Sequence, residues 1–289
     1  MANKKKQFSE IPVEKNMDLD LSIDTLDTGG QGIGRFHGFT VMVRGALPKE
    51  KVRVHILKVY PRYAAGKLIK VLDPSPERVD PPCPHAKECG GCPWIHLNYE
   101  KQLELKRSNV LALLHKIGHF GEEELPDEAV LPVLGMGEDP WHYRNKAQYP
   151  VALGRDGKPK IGFYTARTHN IVDSAACPIQ CEGSEKVREA VRQWLEKKPE
   201  SSPGSGRKMI YDEKTGTGLL RHVLVRTGFS TGEIMVCLVI NGMQLPDTDS
   251  LVSRLREIPG MTSVMLNINR ENTNVIMGNE TLLLWRSEE

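Results

Sequence analysis

The sequence predicts a β-rich α+β fold, with a small closed β-barrel of the oligonucleotide-binding type at the N-terminus and a larger central α+β domain after it. Three observations carry this expectation. Residues 18–72 are short β-type runs broken by glycine, residues 98–118 form one helical stripe, and beyond Trp141 strand patterns return with two helices among them. A chain of 289 residues has room for about two domains with real cores.

Composition narrows the function classes. Hydrophobic residues make up 39% and charged residues 26%, and the longest apolar run, Ile234 to Ile240, is far too short for a bilayer; a span needs about 20 residues. Lys4, Lys5 and Lys6 are followed by QFSEIPVEKNMDLD, which lacks the apolar region of a secretory signal. A cytoplasmic protein without a membrane partner is expected. Net charge is +2, yet residues 1–72 hold 13 Lys+Arg against 7 Asp+Glu, leaving 26 against 30 for the rest. A basic front suits phosphate backbones.

Taken in order, residues 1–17 read as a basic, flexible N-terminus. The runs LSIDTL, GGQGIG, FTVMVRG, KVRVHILKVY and AGKLIKVL then give four or five strands. Val52, Val54 and Ile56 alternate with Lys51, Arg53 and His55, so one face is apolar and the other basic. That many short strands in so few residues favour a closed barrel with a positive outer face. Gly29, Gly30, Gly32 and Gly34 lack the G-x-G-x-x-G spacing and precede a strand, so a tight turn with positive φ is predicted and not a dinucleotide loop. Residues 73–84 are proline-dense and read as an extended linker, with a domain boundary near residue 73. A helix is expected from Asn98 to Ile117, with Leu103, Val110, Leu111, Leu113, Leu114 and Ile117 as its apolar stripe and Gly118 as its C-cap. HYRNKAQYPVAL with KIGFYT, and LLRHVLVRTG with IMVCLVI, look like antiparallel hairpins. Helices from Ser184 to Lys197 and from Thr248 to Ile258, a flexible ESSPGSG stretch and two or three final strands complete the chain.

Six cysteines are present, and four form a pattern. Cys83, Cys89 and Cys92 are spaced C-x5-C-x2-C, and Cys177 follows 85 positions later. Three local thiolates and one remote one suffice for a four-sulfur shell. Gly90 and Gly91 let the backbone wrap a metal and present amides to the sulfurs. Clustered cysteines in a reducing compartment more often hold metal than form disulfides. Spacing alone suits zinc or an iron-sulfur cluster, with zinc slightly ahead. Cys181 is a spare or alternative fourth ligand, and Cys237 reads as core.

Taken together, GGQGIGRFHGFTVMVRGALPKEKVRV, SPERVDPPCPHAKECGGCPWIHLNYEKQLELK, HYRNKAQ and CPI resemble the iron-sulfur class of 23S rRNA (uracil-5-)-methyltransferases. The resemblance covers nearly the whole chain. It implies a TRAM barrel over 18–72, a linker and cluster loop over 73–97, a helix over 98–118 that packs on the catalytic domain, and a central RNA-binding domain over 119–289. It further implies a [4Fe-4S] cluster on Cys83, Cys89, Cys92 and Cys177, and 23S rRNA as partner, with no obligate protein partner. Pro48-Lys49-Glu50 and Ile95 depart from the family's usual residues and touch no ligand. The Phe-x-Gln-x-Asn segment and the Rossmann-like domain that binds S-adenosylmethionine do not occur before Glu289, so that domain is expected to be largely absent. In the family a thiolate adds to C6 of uracil, C5 takes the methyl group, and a base removes the C5 proton. No residue here matches the nucleophile, the base or the cofactor loop, so none is assigned. By the same resemblance Lys51, Arg53, Lys58, Arg144 and Lys146 are candidate RNA contacts. Trp141 and Tyr143 are read as aromatics buried in a strand, with base stacking as the other role; Arg221 and His222 stand between core-edge packing and ligand contact. The competing reading is an RNA-binding module without methyl transfer.

Overall fold

The computed structural model describes residues 11–174, 176–197 and 209–288; the Lys4–Lys6 run and the ESSPGSG stretch lie outside them. The chain forms two compact units, Met1–Pro81 with Cys92–Gly135, and Pro82–Gly91 with Met136–Glu289.

In the first unit the alternating runs become β1 (Asp18–Leu26), β2 (Gln31–Phe36), β3 (Phe39–Arg44), β4 (Lys51–Val59) and β5 (Tyr63–Asp73). They close into a barrel in the order β1-β2-β3-β5-β4, with β3 and β5 parallel and β1 antiparallel to β4. Leu19, Leu21, Ile23, Val41, Val43, Val52, Val54 and Ile56 fill its interior. Each such side chain contributes about 1.5–3 kcal/mol when fully buried. The glycine run is only partly a turn. Gly30 has φ +81°, but Gly32 and Gly34 lie inside β2, and a Cβ on Gly34 would stand 2.2 Å from the Ser22 carbonyl oxygen. Close strand approach, more than positive φ, dictates glycine there.

The segment after β5 is not a free spacer. Arg78 donates from Nε and Nη2 to the fully buried Glu50 carboxylate at 2.6 and 2.8 Å, and Nη2 also donates to the Gly45 carbonyl at 2.7 Å. Burial pushes the Glu50 carboxyl up, but the Arg78 bonds and the amides of Leu47 and Ser75 outweigh it and hold it below its usual range. Past Cys92, Trp94 covers Gly30, and Leu97 joins Leu26 and Leu47 in a small cluster. Helix α1 (Tyr99–Lys116) begins where Asn98 Oδ1 accepts from the Lys101 amide at 3.3 Å. At its end the left-handed residue is His119 (φ 59°), not Gly118. Only Leu111 of the helix is buried. Val110, Leu113 and Ile117 are exposed, as are Phe120, Leu131 and Leu134 beyond them.

The second unit is a seven-stranded sheet with two helices against it. Its strands are β6 (Lys146–Leu153), β7 (Pro159–Tyr164), β8 (Ile171–Asp173), β9 (Leu220–Thr227), β10 (Ile234–Ile240), β11 (Met261–Ile268) and β12 (Glu280–Arg286), in the order β12-β11-β10-β9-β6-β7-β8. The hairpins β6–β7 and β9–β10 are antiparallel as predicted. β10 and β11 are parallel, which requires a crossover, and α3 (Thr248–Arg256) supplies it. Helix α2 (Glu182–Glu196) lies on β6, β7, β9 and α3. Tyr149, Ile161, Trp194, Leu220, Leu238, Ile240, Leu251 and Leu255 are its largest fully buried side chains. Among the described residues no helix is long and apolar enough to cross a membrane.

Candidate functional site

The cysteine loop is shaped by backbone bonds. The Cys89 amide donates to the His85 carbonyl at 2.8 Å, and the Gly90 amide donates to the Tyr164 carbonyl at 3.0 Å, which lays the loop on the end of β7. A Cβ on Gly90 would come within 3.1 Å of that same oxygen and 3.2 Å of Ala166 Cα, so a larger residue would have to push this backbone aside by a few tenths of an ångström. Next to it the Gly91 amide donates to Cys89 Sγ at 3.4 Å. Cys177 opens a turn closed by the Gln180 amide on its carbonyl at 3.1 Å. That turn is stitched to the segment before β6, where Arg144 N donates to Ile179 O at 2.9 Å and Cys181 N to Arg144 O at 3.2 Å.

Burial pushes the Cys177 thiol up against the pull of the Ile179 and Gln180 amides, and a charge on Cys83 raises it further, so these two cysteines stand within electrostatic reach. Cys83, Cys89, Cys92 and Cys177 are half-buried, whereas Cys181 and Cys237 are buried. Cys181 is engaged elsewhere. It caps α2, and its sulfur bonds Ser184 Oγ at 3.2 Å and Thr227 Oγ1 at 3.3 Å. Cys237 sits in the sheet core with its thiol raised by burial to about 11.

Cys83, Cys89 and Cys177 belong to the second unit, and the division between units runs between Gly91 and Cys92. Among the described residues no three His, Cys, Asp or Glu side chains converge as a ready ligand set. The donor chemistry within the second unit nevertheless fits a thiolate-held metal: three half-buried thiols, an amide already on one sulfur, and a glycine pair in the loop. One more observation bears on the fit. Gln180, three residues from Cys177, is fully buried, and both polar atoms of its side chain lack a hydrogen-bond partner. Such an amide costs about 1–3 kcal/mol. Sulfides are acceptors of the kind it lacks.

The barrel face carrying Lys51 and Arg53 is less positive than its own strand suggests. β1 runs beside β4 and sets Asp20 opposite Arg53 and Asp18 opposite His55. Arg53 makes two bonds to Asp20, at 2.8 and 3.1 Å, and His55 Nδ1 lies 2.6 Å from Asp18. The expected basic face is therefore laced with carboxylates, because alternation within one strand does not reveal its neighbour's polar residues. Lys51 and Lys58 are exposed, with Lys58 Nζ 4.8 Å from the centre of the Tyr60 ring. On the other side of β4, Lys70 stands opposite Arg53 and Lys67 opposite His55, two cations the sequence reading did not single out.

In the second unit Lys146 is exposed at the start of β6, directly opposite Arg226 of β9. Like charges so placed repel unless an anion bridges them. Arg226 was invisible to the sequence reading, since only strand pairing brings it to Lys146. Arg144 is half-buried on the Cys177 segment. Tyr143 is 42% exposed and Trp141 half-buried, and neither lies in a strand, so the expectation of strand-buried aromatics is corrected: the chain does not become sheet until Lys146. Arg221 is a packing residue. It donates to the carbonyls of Asn269 and Glu271 at 2.7 and 2.8 Å and lies over Tyr211. His222 is buried and pushed down to about 4 by burial and by Arg221.

Comparison with known proteins matches this architecture. Residues 12–69 match the TRAM domain. Over 281 residues, 97% of its length, the chain is 42% identical to an uncharacterized RNA methyltransferase of Clostridium tetani, of which it covers 58%. It is 40% identical over 280 residues to another from Caldanaerobacter subterraneus, again covering 58%. The fold is that of the Pyrococcus abyssi tRNA (uracil-54, C5)-methyltransferase solved with S-adenosyl-L-homocysteine, with a TM-score of 0.64 at 24% identity, over 93% of this chain and 56% of that one. The chain is homologous to RNA methyltransferases and spans somewhat more than half of their length.

Proposed function

We propose that this chain is the RNA-binding, [4Fe-4S]-bearing portion of an S-adenosylmethionine-dependent methyltransferase acting on C5 of a uracil in 23S rRNA. The observation that carries it is the 42% identity to an RNA methyltransferase across 97% of the chain, with an oligonucleotide-binding type of barrel at its front. Cys83, Cys89, Cys92 and Cys177 would hold the cluster, which supplies a cross-link between the loop and the Cys177 segment. No methyl-transfer step runs through it. Lys51, Lys58, Arg144 and Lys146, joined by Arg226, neutralise phosphates as point charges. Arg53 contributes once RNA phosphate competes with Asp20. The cofactor, nucleophile and base belong to the part of the relatives that this chain does not span, and that part covers the exposed side of α1.

Two measurements test the reading. Anaerobically prepared protein is brown, with about four irons per chain, and Cys83→Ser or Cys177→Ser loses them; a colourless protein with one zinc per chain overturns the cluster. The chain binds 23S rRNA fragments yet transfers no methyl group from labelled S-adenosylmethionine. Turnover by this chain would mean that it carries the catalytic groups itself. The second reading is a binding module that grips RNA without chemistry, for which the TRAM match at residues 12–69 is the observation. It predicts that adding the remaining segment of a relative in trans restores no methylation.

A further inference from the structure

We infer that the ring pair Tyr60–Tyr63, at the turn between β4 and β5, is a stacking site for an unpaired base of single-stranded RNA, with Lys58 and Arg62 on the flanking phosphates. This rests on the RNA-binding reading above and adds a base contact to its phosphate contacts. The two rings are stacked, with centroids 4.5 Å apart and planes inclined by 19°. The Tyr60 amide donates to the Tyr63 carbonyl at 2.8 Å, so the short Pro61-Arg62 turn fixes the pair before any ligand arrives. Neither ring belongs to the apolar core of the barrel, and both are half-buried at its surface. Lys58 reaches over Tyr60, and Pro61 and Arg62 are exposed.

The register enlarges the site. Tyr63 stands opposite Thr40 in the parallel β3–β5 pair, which puts the β2–β3 turn at the same rim of the barrel. There Phe36, packed against the barrel core, and His37 meet edge to face with centroids 4.5 Å apart, and Arg35 beside them pairs with Asp24 at 3.3 Å. One rim thus gathers the tyrosine pair, the exposed His37 ring and the cations Lys58 and Arg62. Stacking accepts any base, because every base has a π-face, while the cations follow the backbone. Barrels of this topology receive oligonucleotides at the β4–β5 loop.

The test measures binding of a labelled uridine-rich single strand by the full chain, beside an abasic strand of equal length and charge. Tyr63→Leu is expected to weaken the normal strand about 5- to 100-fold, the equivalent of one stacked base, and to leave the abasic strand unchanged. Tyr63→Phe restores binding, and Arg62→Ala weakens both strands and lowers the salt slope by about one. Equal binding by Tyr63→Leu and the unaltered chain, with Arg62→Ala and Lys58→Ala still weakened, overturns the stacking site and leaves RNA binding standing. No binding of either strand overturns both. Because a tyrosine variant can fold poorly, 5-iodouridine in the strand is also photo-crosslinked to the unaltered chain. A crosslink within Tyr60–Tyr63 or Phe36–His37 supports the site, and one confined to other peptides overturns it.

Discussion

In the barrel unit Glu50 is fully buried and both its oxygens are bonded, to Arg78, Leu47 and Ser75, whereas in the sheet unit Gln180 and His222 are buried as deeply and keep polar atoms without partners. The contrast is local, since His96 Nε2 in the barrel unit also lacks a partner. The one buried carboxylate among the described residues is satisfied by residues of its own unit. Around Cys177 the sheet unit instead holds a polar group whose partner is not among the described residues, and that is where the cluster is proposed.

The sharpest break of this comparison is Arg78→Ala. It strands the Glu50 carboxylate and is expected to cost the barrel unit about 3–5 kcal/mol in denaturant titration. A loss below about 1 kcal/mol would mean that water already reaches Glu50. The depressed Glu50 carboxyl gives a matching acid dependence. Its contribution is present above the ordinary value of 4.5 and is lost as pH falls through the lower folded value.

Next in size is the response of the two buried imidazoles. Burial pushes His96 in the barrel unit and His222 in the sheet unit down to about 4. Unfolded chains take the proton from about 6.5 downward while the folded ones resist it, so each unit loses on the order of 2–3 kcal/mol as pH falls from 6.5 toward 4. His222→Leu should flatten that loss in the sheet unit alone, and an unchanged slope would assign the titration to another group.

A smaller effect tests whether Gln180 lacks a partner until a cluster is bound. In iron-free protein Gln180→Leu removes an unpartnered amide and is expected to be neutral or to stabilise by about 1 kcal/mol, while in iron-loaded protein it hastens iron loss to a chelator. Destabilisation of the iron-free form would show that the amide is satisfied within the protein. Smallest of all, Asp20→Asn frees Arg53 and tightens RNA binding a few-fold at low salt, with Arg53→Ala shifting it the other way. Neither should move the unfolding midpoint, and filter binding at two salt concentrations checks the pair.

Much of this was legible in the chain. The alternation of Val52, Val54 and Ile56 gave β4 its inner face, Asn98 marked the start of α1, and Cys237 read as core, while Cys181 stayed an alternative ligand until the tertiary structure engaged its sulfur with Ser184 and Thr227. What local pattern missed came from pairing. The β10–β11 parallel contact, the Lys146–Arg226 juxtaposition and the carboxylates beside Arg53 each join residues far apart in sequence, and alternation records which face a residue takes, not which strand lies next to it. Within the predicted linker of 73–84, proline density likewise says nothing of Arg78, which finds Glu50 in the barrel, 28 residues earlier.

By itself the sequence determined the β-rich α+β class, the spacing of four thiols and a resemblance that implies a cluster on them, because composition, period and motif are properties of short stretches. Only the tertiary structure decided that Gly90 lies tight against Tyr164, that Glu50 and Arg78 close the barrel's polar interior, and that Tyr60 and Tyr63 share a rim with Phe36 and His37. Those outcomes depend on which strands become neighbours, and burial of the whole set of apolar faces fixes that at once.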